Sequence, residues 1–336
     1  MNTHEQVLLM ISTDSNILDP QSSVALRQKE YAQKYKEVHI VVLTTRKNSL
    51  AREVVLSPNC WVYSTYSLSK FLTVFNALQL SALIMKGRGV TAVTCQDPFF
   101  TGMIGVSAKK KNPAISLEIQ VHTDIGSPQY TYTLGNKLRK ALALSYIPKA
   151  DHIRVVSNKI RDYLVSTLSI APEKIEVRPI AVDVEKLAHA QVIEGANLHA
   201  KYPQFEKIIL MASRLEPEKN IQLAINAFKL VSQKMPKVGL VIVGQGSQSS
   251  QLKVLGSNSI IFESWASPET LYSYYKTADV FLLTSLYEGY GLTLKEAQTA
   301  GCKMVSTDVG IAQEIGAAIC TYDPADVADK IIHTLS

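Results

Sequence analysis

The sequence predicts an α/β protein of two doubly wound domains. Three observations carry this reading. Short runs that are apolar throughout alternate with longer helical stretches, the pattern of strands buried on both faces of a parallel sheet. The rhythm breaks near Arg178–Glu185 and then restarts. At about 150 residues per domain, 336 residues make two domains. With 46% hydrophobic residues, each can fill a core, which excludes a disordered or fibrous chain.

In the first half, Val7–Ser12 reads as a strand, Ser23–Tyr35 as a helix and His39–Thr44 as a strand. A strand at Trp61–Tyr63 leads into a helix from about Leu68 to Lys86. Ala92–Cys95 and Ile115–Val121 are strands with a helix at Phe99–Lys110 between them. A basic helix, Gly135–Tyr146, precedes a strand at Ile153–Ser157 and a helix at Asn158–Leu168. The hinge is expected near Pro179–Asp183, followed by a helical stretch from Val184 to Ala200.

The second series has strands at Ile208–Ala212, Val238–Val243, Ile260–Phe262, Val280–Thr284 and Met304–Ser306. Asn220–Met235 is helical because Ile221, Ala224, Ile225, Phe228, Val231 and Met235 recur at helical spacing. Ser267 and Pro268 suit the cap and first position of a helix over Pro268–Thr277. Pro324 starts a terminal helix. The expected domains are 1–180 and 181–322, with a helix over 323–336.

Composition narrows the function. Lys and Arg number 35 against 29 Asp and Glu, a net charge of +6, which suits anionic partners without choosing among them. Aromatics are 7% and nowhere interleave with basic residues, so a nucleic-acid stacking platform is not expected. Cys60, Cys95, Cys302 and Cys320 form no C-x-x-C pair and match no zinc ribbon; they read as reduced core residues of a cytoplasmic protein. The apolar run Val7–Ile11 has no basic flank and is too short for a signal-peptide core. No run reaches the roughly 18 apolar residues that a membrane span needs.

Two segments could carry chemistry. Ser213-Arg214-Leu215-Glu216-Pro217-Glu218-Lys219-Asn220 follows a strand and opens a helix. Ligands of α/β sheets bind at the carboxyl ends of strands, where helix N-termini offer free N–H groups. Arg214 and Lys219 there make either a diphosphate site or two solvated loop charges. The second segment, Ser285–Ala297, holds Glu288 in a loop, Gly289 and Gly291 beside it, and Glu296 one turn inside a helix that begins at about Leu292. Carboxylates accept paired hydrogen bonds and so suit polyols, but each Glu alone also fits a turn or a helix surface.

Together and in this order, S-R-L-x-P-E-K-N and E-G-Y-G-L-x-L-x-E-A strongly resemble the retaining glycosyltransferases of family 4, which have the GT-B fold: two Rossmann-like domains with an interdomain cleft. Val243-Gly244-Gln245-Gly246 resembles the family's V-G-x-G turn. Ala278–Ser285 resembles its A-D-V-F-L-x-P-S strand, with Thr284 in place of proline. Ala181-Val182-Asp183 resembles its N-G-V-D segment, without the Asn-Gly.

The resemblance implies a reaction and its residues. A sugar would pass from a nucleotide-sugar donor to a glycan or lipid-linked acceptor with its anomeric configuration kept. Arg214 and Lys219 would hold the donor diphosphate and neutralise the charge that builds there. Gly244 and Gly246 would line the donor site. Glu288 and backbone N–H groups near Gly291 and Leu292 would meet the sugar or phosphate, and Glu296 the ribose. His122, after the strand Ile119–Val121, would contact the sugar near the reacting centre. Domain closure would bring it toward Arg214, Lys219 and Glu288. Asp124 lies where the family's His-Asp pair often has its Asp, though Thr123 separates the two here.

The family's Gly-Gly turn after the first strand is missing. Thr13-Asp14-Ser15-Asn16 stands there instead, so Asp14 and Ser15 are acceptor-side candidates. Asp97, in Gln96-Asp97-Pro98, is either acceptor-side or part of a turn that starts a helix. No D-x-D triplet occurs, which argues against the other large glycosyltransferase fold and for a reaction without metal or cofactor. UDP-sugars are the first expected donor and GDP-mannose the next.

Lys109-Lys110-Lys111 and the set Lys137, Arg139 and Lys140 concentrate positive charge in the first half. The second set shares a helix with Leu138, Leu142 and Leu144. That helix reads either as an element lying on the anionic inner membrane surface or as an ordinary surface helix. The rival readings are a non-catalytic sugar-nucleotide-binding protein and a sugar-nucleotide epimerase. A phosphorylase lacks a motif for its pyridoxal-phosphate lysine here, and a nicotinamide dehydrogenase lacks G-x-G-x-x-G after the first strand.

Overall fold

The structure, a computed structural model, describes residues 3–47 and 51–336. The chain divides into two compact units. One holds the residues up to Gly126 together with Thr131–Arg178; the other holds Ser127–Tyr130 and Pro179–Ser336.

The first unit contains strands β1 (Val7–Ser12), β2 (Glu37–Val42), β3 (Glu53–Ser57), β4 (Cys60–Ser64), β5 (Ala92–Cys95), β6 (Ser116–Val121), β7 (His152–Val155) and β8 (Ile175–Val177). Its helices are α1 (Ser23–Ala32), α2 (Lys70–Arg88), α3 (Phe100–Lys111), α4 (Leu134–Tyr146) and α5 (Asn158–Leu168). The sheet runs β3-β4-β2-β1-β5-β6-β7-β8, parallel except for β3, which pairs antiparallel with β4. The central strands are apolar because helices cover both faces; Leu9, Ile11, Val38 and Ile40 are fully or almost fully buried. The order reverses between β1 and β5, and there Gln96 ties the two strand ends. Its Oε1 accepts from Ser12 Oγ (2.6 Å) and Thr13 N–H (2.9 Å).

The second unit contains α6 (Val184–His189), α7 (Leu198–Lys201), β9 (Lys207–Ala212), α8 (Ile221–Lys234), β10 (Val238–Val243), α9 (Ser249–Lys253), β11 (Ile260–Glu263), α10 (Pro268–Thr277), β12 (Val280–Leu283), α11 (Leu292–Thr299), β13 (Lys303–Thr307), β14 (Ala318–Cys320) and α12 (Pro324–Leu335). Its sheet is wholly parallel in the order β11-β10-β9-β12-β13-β14, the doubly wound arrangement with its switch point between β9 and β12. The apolar stripe of α8 (Ile221, Ala224, Ile225, Phe228, Val231) packs on this sheet beside Val327 and Ile331 of α12.

The structure departs from the sequence expectations in several places. The helical stretch Val184–Ala200 is two short helices. The first ends at His189, residues 190–197 are not helical, with Gly195 among them at φ +79°, and the Asn197 side chain caps a new turn by accepting from the N–H groups of His199 and Ala200. The short edge strands β3, β8 and β14 and the five-residue α9 lie outside the expected set, being too short for a periodic signal. All four cysteines are free and buried, and burial pushes the thiols of Cys60 to about 11 and of Cys302 and Cys320 to about 12. Among the described residues, no helix is long and apolar enough to cross a membrane.

Phe228 is 2% exposed at the centre of the α8 stripe, so Phe228→Ala leaves a cavity with little freedom to collapse. Denaturant unfolding should show the second unit weakened by about 3–5 kcal/mol.

Candidate active site

In the second unit, the segments after β9, β10 and β12 meet at the carboxyl edge of the sheet, at its switch point. The segment after β9 turns through Asn220, whose φ of +49° is left-handed, and enters α8. Thr284, at the end of β12, donates its hydroxyl to the carbonyls of Lys219 (3.2 Å) and Asn220 (3.1 Å). Proline, usual in the resembling family, has no hydroxyl to make these bonds. Leu286 N–H donates to Glu218 O at 2.8 Å, and Thr307 Oγ1 donates to Ser285 O at 2.7 Å.

This clamp sets Lys219 against Glu288. Their side chains form an ion pair and are only 14% and 16% exposed. Ser285 Oγ donates to the same Glu288 oxygen at 2.8 Å. Arg214 is different. Its side chain is 70% exposed and bonds Glu218 at 2.8 Å, one turn away along the loop.

The segment after β10 closes the second side. A Cβ on Gly244 would fall 1.9 Å from Ser213 O, and one on Gly246 2.4 Å from Leu215 O. The two glycines are therefore required by loop-on-loop packing. Their N–H groups are already spent, on Glu263 O (3.1 Å) and Ser249 Oγ (2.8 Å). Glu216 joins the same two loops by accepting from Ser247 N–H (2.9 Å) and Oγ (2.6 Å). Arg214, Gly244, Gln245, Trp265, Leu271 and Thr293 help line a cavity of about 240 Å³. Trp265 is 70% exposed, and Ser213 Oγ, also on the lining, is buried with no hydrogen-bond partner.

Gly291 caps α11 with φ +89°. The first-turn N–H groups, those of Leu292 and Thr293 among them, have no carbonyl within the helix to pair with. Glu296, one turn further on, accepts from the buried Tyr275 hydroxyl at 2.9 Å. Burial raises the Glu296 carboxyl, and the Tyr275 bond opposes that rise. Sequence reading missed Tyr275. It sits on α10, packed edge-on against Phe281, with no local signal of its partner.

In the first unit, His122 follows β6 and ends a chain of hydrogen bonds. Glu118 accepts from Thr94 Oγ1 (2.7 Å) and Gln120 Nε2 (3.2 Å). The Gln120 nitrogen also donates to Thr94 Oγ1, so its oxygen faces His122 Nε2 at 3.0 Å as an acceptor. This network assigns the proton to Nε2 and leaves Nδ1 as an acceptor. Burial, with a further push from the Arg154 charge and an opposite pull from Glu118, brings His122 down to about 4.

The other first-unit candidates have local partners. The Asp14 carboxylate caps a short 3-10 turn that begins at Ser15 by accepting from Asn16 N–H at 3.0 Å. Asp97 accepts from Phe99 N–H at 2.7 Å at the start of α3, and burial raises its carboxyl. Asp124 is 3% exposed and accepts from Gly126 N–H at 3.0 Å. Just beyond it, Ser127–Tyr130 belongs to the second unit. Tyr130 packs edge-on against Tyr287 at 5.1 Å, and Ser127 Oγ donates to Leu286 O at 3.3 Å.

The fold and these motifs have counterparts among known proteins. Residues 24–186 match the family described as Glycosyltransferase Family 4, and residues 198–336 match Glycosyl transferases group 1. The chain belongs to the family 4 glycosyltransferases. Alpha-monoglucosyldiacylglycerol synthase of Streptococcus pneumoniae is 28% identical over 239 residues, 66% of this chain and 53% of that protein. The chain thus spans about half the length of that relative, and still less of several others. Sucrose-phosphate synthase of Thermosynechococcus elongatus superposes with a TM-score of 0.75 at 18% identity, over 98% of this chain and 90% of that one. Anabaena Alr3699/HepE in complex with UDP and glucose superposes with a TM-score of 0.69 at 15% identity, over 98% and 89%. These superpositions identify the GT-B fold.

The folded pKa of His122 lies below the roughly 6.5 of an unfolded histidine. The unfolded chain therefore binds more protons between those values. The contribution of His122 to stability is complete above about 6.5 and falls away toward 4. In an NMR titration, its ring signals should stay constant from pH 8 to about 6 and move only toward 4, unlike those of an ordinary surface histidine.

Proposed function

We propose that the protein is a retaining, metal-independent glycosyltransferase. It moves a sugar from a nucleotide-sugar donor to a glycan or lipid-linked acceptor. The observation that carries this reading is the edge of the second sheet, where Arg214 and Thr293 of the first turn of α11 line one cavity and, in the segments that follow β9 and β12, the clamp fixes Lys219 against Glu288. A fixed cation, a second exposed one and the unpaired N–H groups of a helix N-terminus are a diphosphate-binding chemistry.

In this reading the diphosphate draws Lys219 and Arg214 from their carboxylate partners, and Glu288 turns to the sugar hydroxyls. The glycosidic C1–O bond breaks with its electron pair passing to the phosphate oxygen, where the two cations stabilise the new charge. The acceptor hydroxyl bonds C1 from the same face, and its proton goes to the leaving phosphate. Glu296, oriented by Tyr275, accepts from ribose hydroxyls. The Trp265 indole offers a face to the base. In the first unit, neutral His122 presents Nδ1 to a sugar hydroxyl.

UDP-sugars are the preferred donors, ahead of GDP-mannose. The solved neighbour that holds UDP and glucose and the relative named for a glucosyldiacylglycerol product support this choice and a lipid acceptor. Work on such an acceptor puts the protein at the cytoplasmic membrane surface.

A thermal-shift screen of UDP, GDP, ADP and their sugars selects the donor by mass action. Nucleotide release from that donor is then followed with diacylglycerol vesicles and glycans as acceptors. Lys219→Ala and Glu288→Gln should each lower turnover by at least about a hundredfold, the loss expected when a group that stabilises transition-state charge is removed. Lys219→Ala should also weaken nucleotide binding. A wild-type protein that binds a nucleotide-sugar but neither transfers nor hydrolyses it is a binding protein and overturns this reading.

A further inference from the structure

The first sheet has two unlike faces along β6 and β7. Leu117, Ile119 and Val121 of β6 and Ile153 and Val155 of β7 are at most 1% exposed. α3 covers this side of β6, where a Cβ on Gly105 would fall 2.8 Å from Leu117 Cδ1. The alternate residues Glu118, Gln120 and Arg154 point the other way, as successive side chains of a strand must, and all three are only half-buried. His122, two residues beyond Gln120, continues their row. Strands of a parallel sheet covered on both sides are apolar throughout, and these are not.

Arg154 is the unsatisfied member of this row. It stands opposite Gln120 of β6 in register, with Glu176 of β8 on its other side. The two carboxylates nearby are engaged. Glu118 accepts from Thr94 and Gln120, and Arg178 holds both oxygens of Glu176 at 2.8 Å. Arg154 pairs with neither, and its Nε is buried without a hydrogen-bond partner. A guanidinium is always charged and carries five donors, and a buried donor left unmade is costly. Folded proteins keep few such groups, and each calls for a reason. The Arg154 charge reaches His122, where it opposes protonation. A second unpartnered atom belongs to α1. The charges of Glu118 and Arg178 both act on Tyr31 of that helix. Gln28, one turn before Tyr31 on the same side, has a buried Oε1 with no partner.

We propose that Arg154 binds an anionic group of the acceptor, a phosphoryl or carboxylate group, on the polar row that ends at His122. The guanidinium fork takes two oxygens of such a group side by side, a fit that a neutral sugar does not offer. The Glu118 carboxylate, which would oppose an anion, is already turned to two donors. The acceptor is therefore a sugar that bears a phosphate or contains a uronic acid. The assignment rests on the transfer reading at one point: the donor diphosphate has Lys219 and Arg214 in the second unit, so the anion left for the first unit is the acceptor's. In the sequence Arg154 is a single charge inside a strand, with no motif around it, and only the engagement of its neighbours sets it apart.

The first test uses inorganic phosphate as the probe and the His122 ring signals in NMR as the readout. Phosphate should move these signals in the wild type. It should also raise the midpoint of His122 protonation by about one pH unit, because an anion on Arg154 cancels the charge that opposes the proton. Arg154→Gln should abolish the response at an unlowered melting temperature. Arg154→Lys keeps the charge without the fork and should retain part of it. Transfer is then compared for a neutral hexose, a hexose monophosphate and a hexuronic acid. A preference for the second assigns a phosphoryl group, and a preference for the third a carboxylate. Arg154→Gln should raise KM for the preferred anionic acceptor at least about tenfold, with kcat and nucleotide affinity unchanged. His122 signals that ignore phosphate, a response that survives Arg154→Gln, or neutral acceptors used as well as anionic ones overturn the proposal. Failure to transfer to any acceptor instead counts against the transfer reading, because the phosphate response reads the Arg154 site without donor or acceptor.

Discussion

The candidate site depends on one interaction, the ion pair between Lys219 and Glu288. The two residues come from segments that follow different strands, β9 and β12, and both side chains are largely withdrawn from water. Removing two charges from water is costly, so such a pair persists only where the surroundings hold both groups in place. Here they do. Thr284 and Leu286 bind the backbone of the Lys219 segment, and Thr307 secures Ser285, which donates to Glu288. Gly244 and Gly246 let the third segment close without a clash. A cation fixed beside an N-terminal helix turn, with its charge balanced by a carboxylate, is suited to exchange that carboxylate for a phosphate.

Both units order their strand ends by the same route. Each sheet is parallel, apart from the edge strand β3, with a central apolar strand, and its order reverses beside that strand. The reversal leaves the following loops uncovered at one edge, and polar side chains tie them together. In the second unit the tie is Thr284. In the first it is Gln96, between the ends of β1 and β5, with the chain from Glu118 to His122 on the neighbouring strands. That chain fixes the His122 tautomer.

Much of the architecture was legible because period and burial agree. Apolar runs such as Val238–Val243 could only be buried strands, and the Ile221–Val231 spacing could only face a core. The site segments were legible because their charges stand immediately after strands. What stayed hidden was pairing between distant residues. Nothing near Tyr275 signals Glu296, and nothing in V-G-Q-G shows that its glycines serve loop packing and that their amides are taken. Asp14 is an acceptor-side candidate in the sequence and Asp97 either that or part of a turn; both cap the turns that follow them, a role a short polar residue at a strand end often takes.

A double-mutant cycle on folding stability tests most directly whether the Lys219–Glu288 pair holds the site. Lys219→Met, Glu288→Gln and the combined variant are compared with the wild type by denaturant unfolding. Each single change strands a withdrawn charge, so the two losses together should exceed that of the combined variant by at least about 1 kcal/mol. Losses that simply add would contradict it, because the two side chains would then be neighbours without being partners.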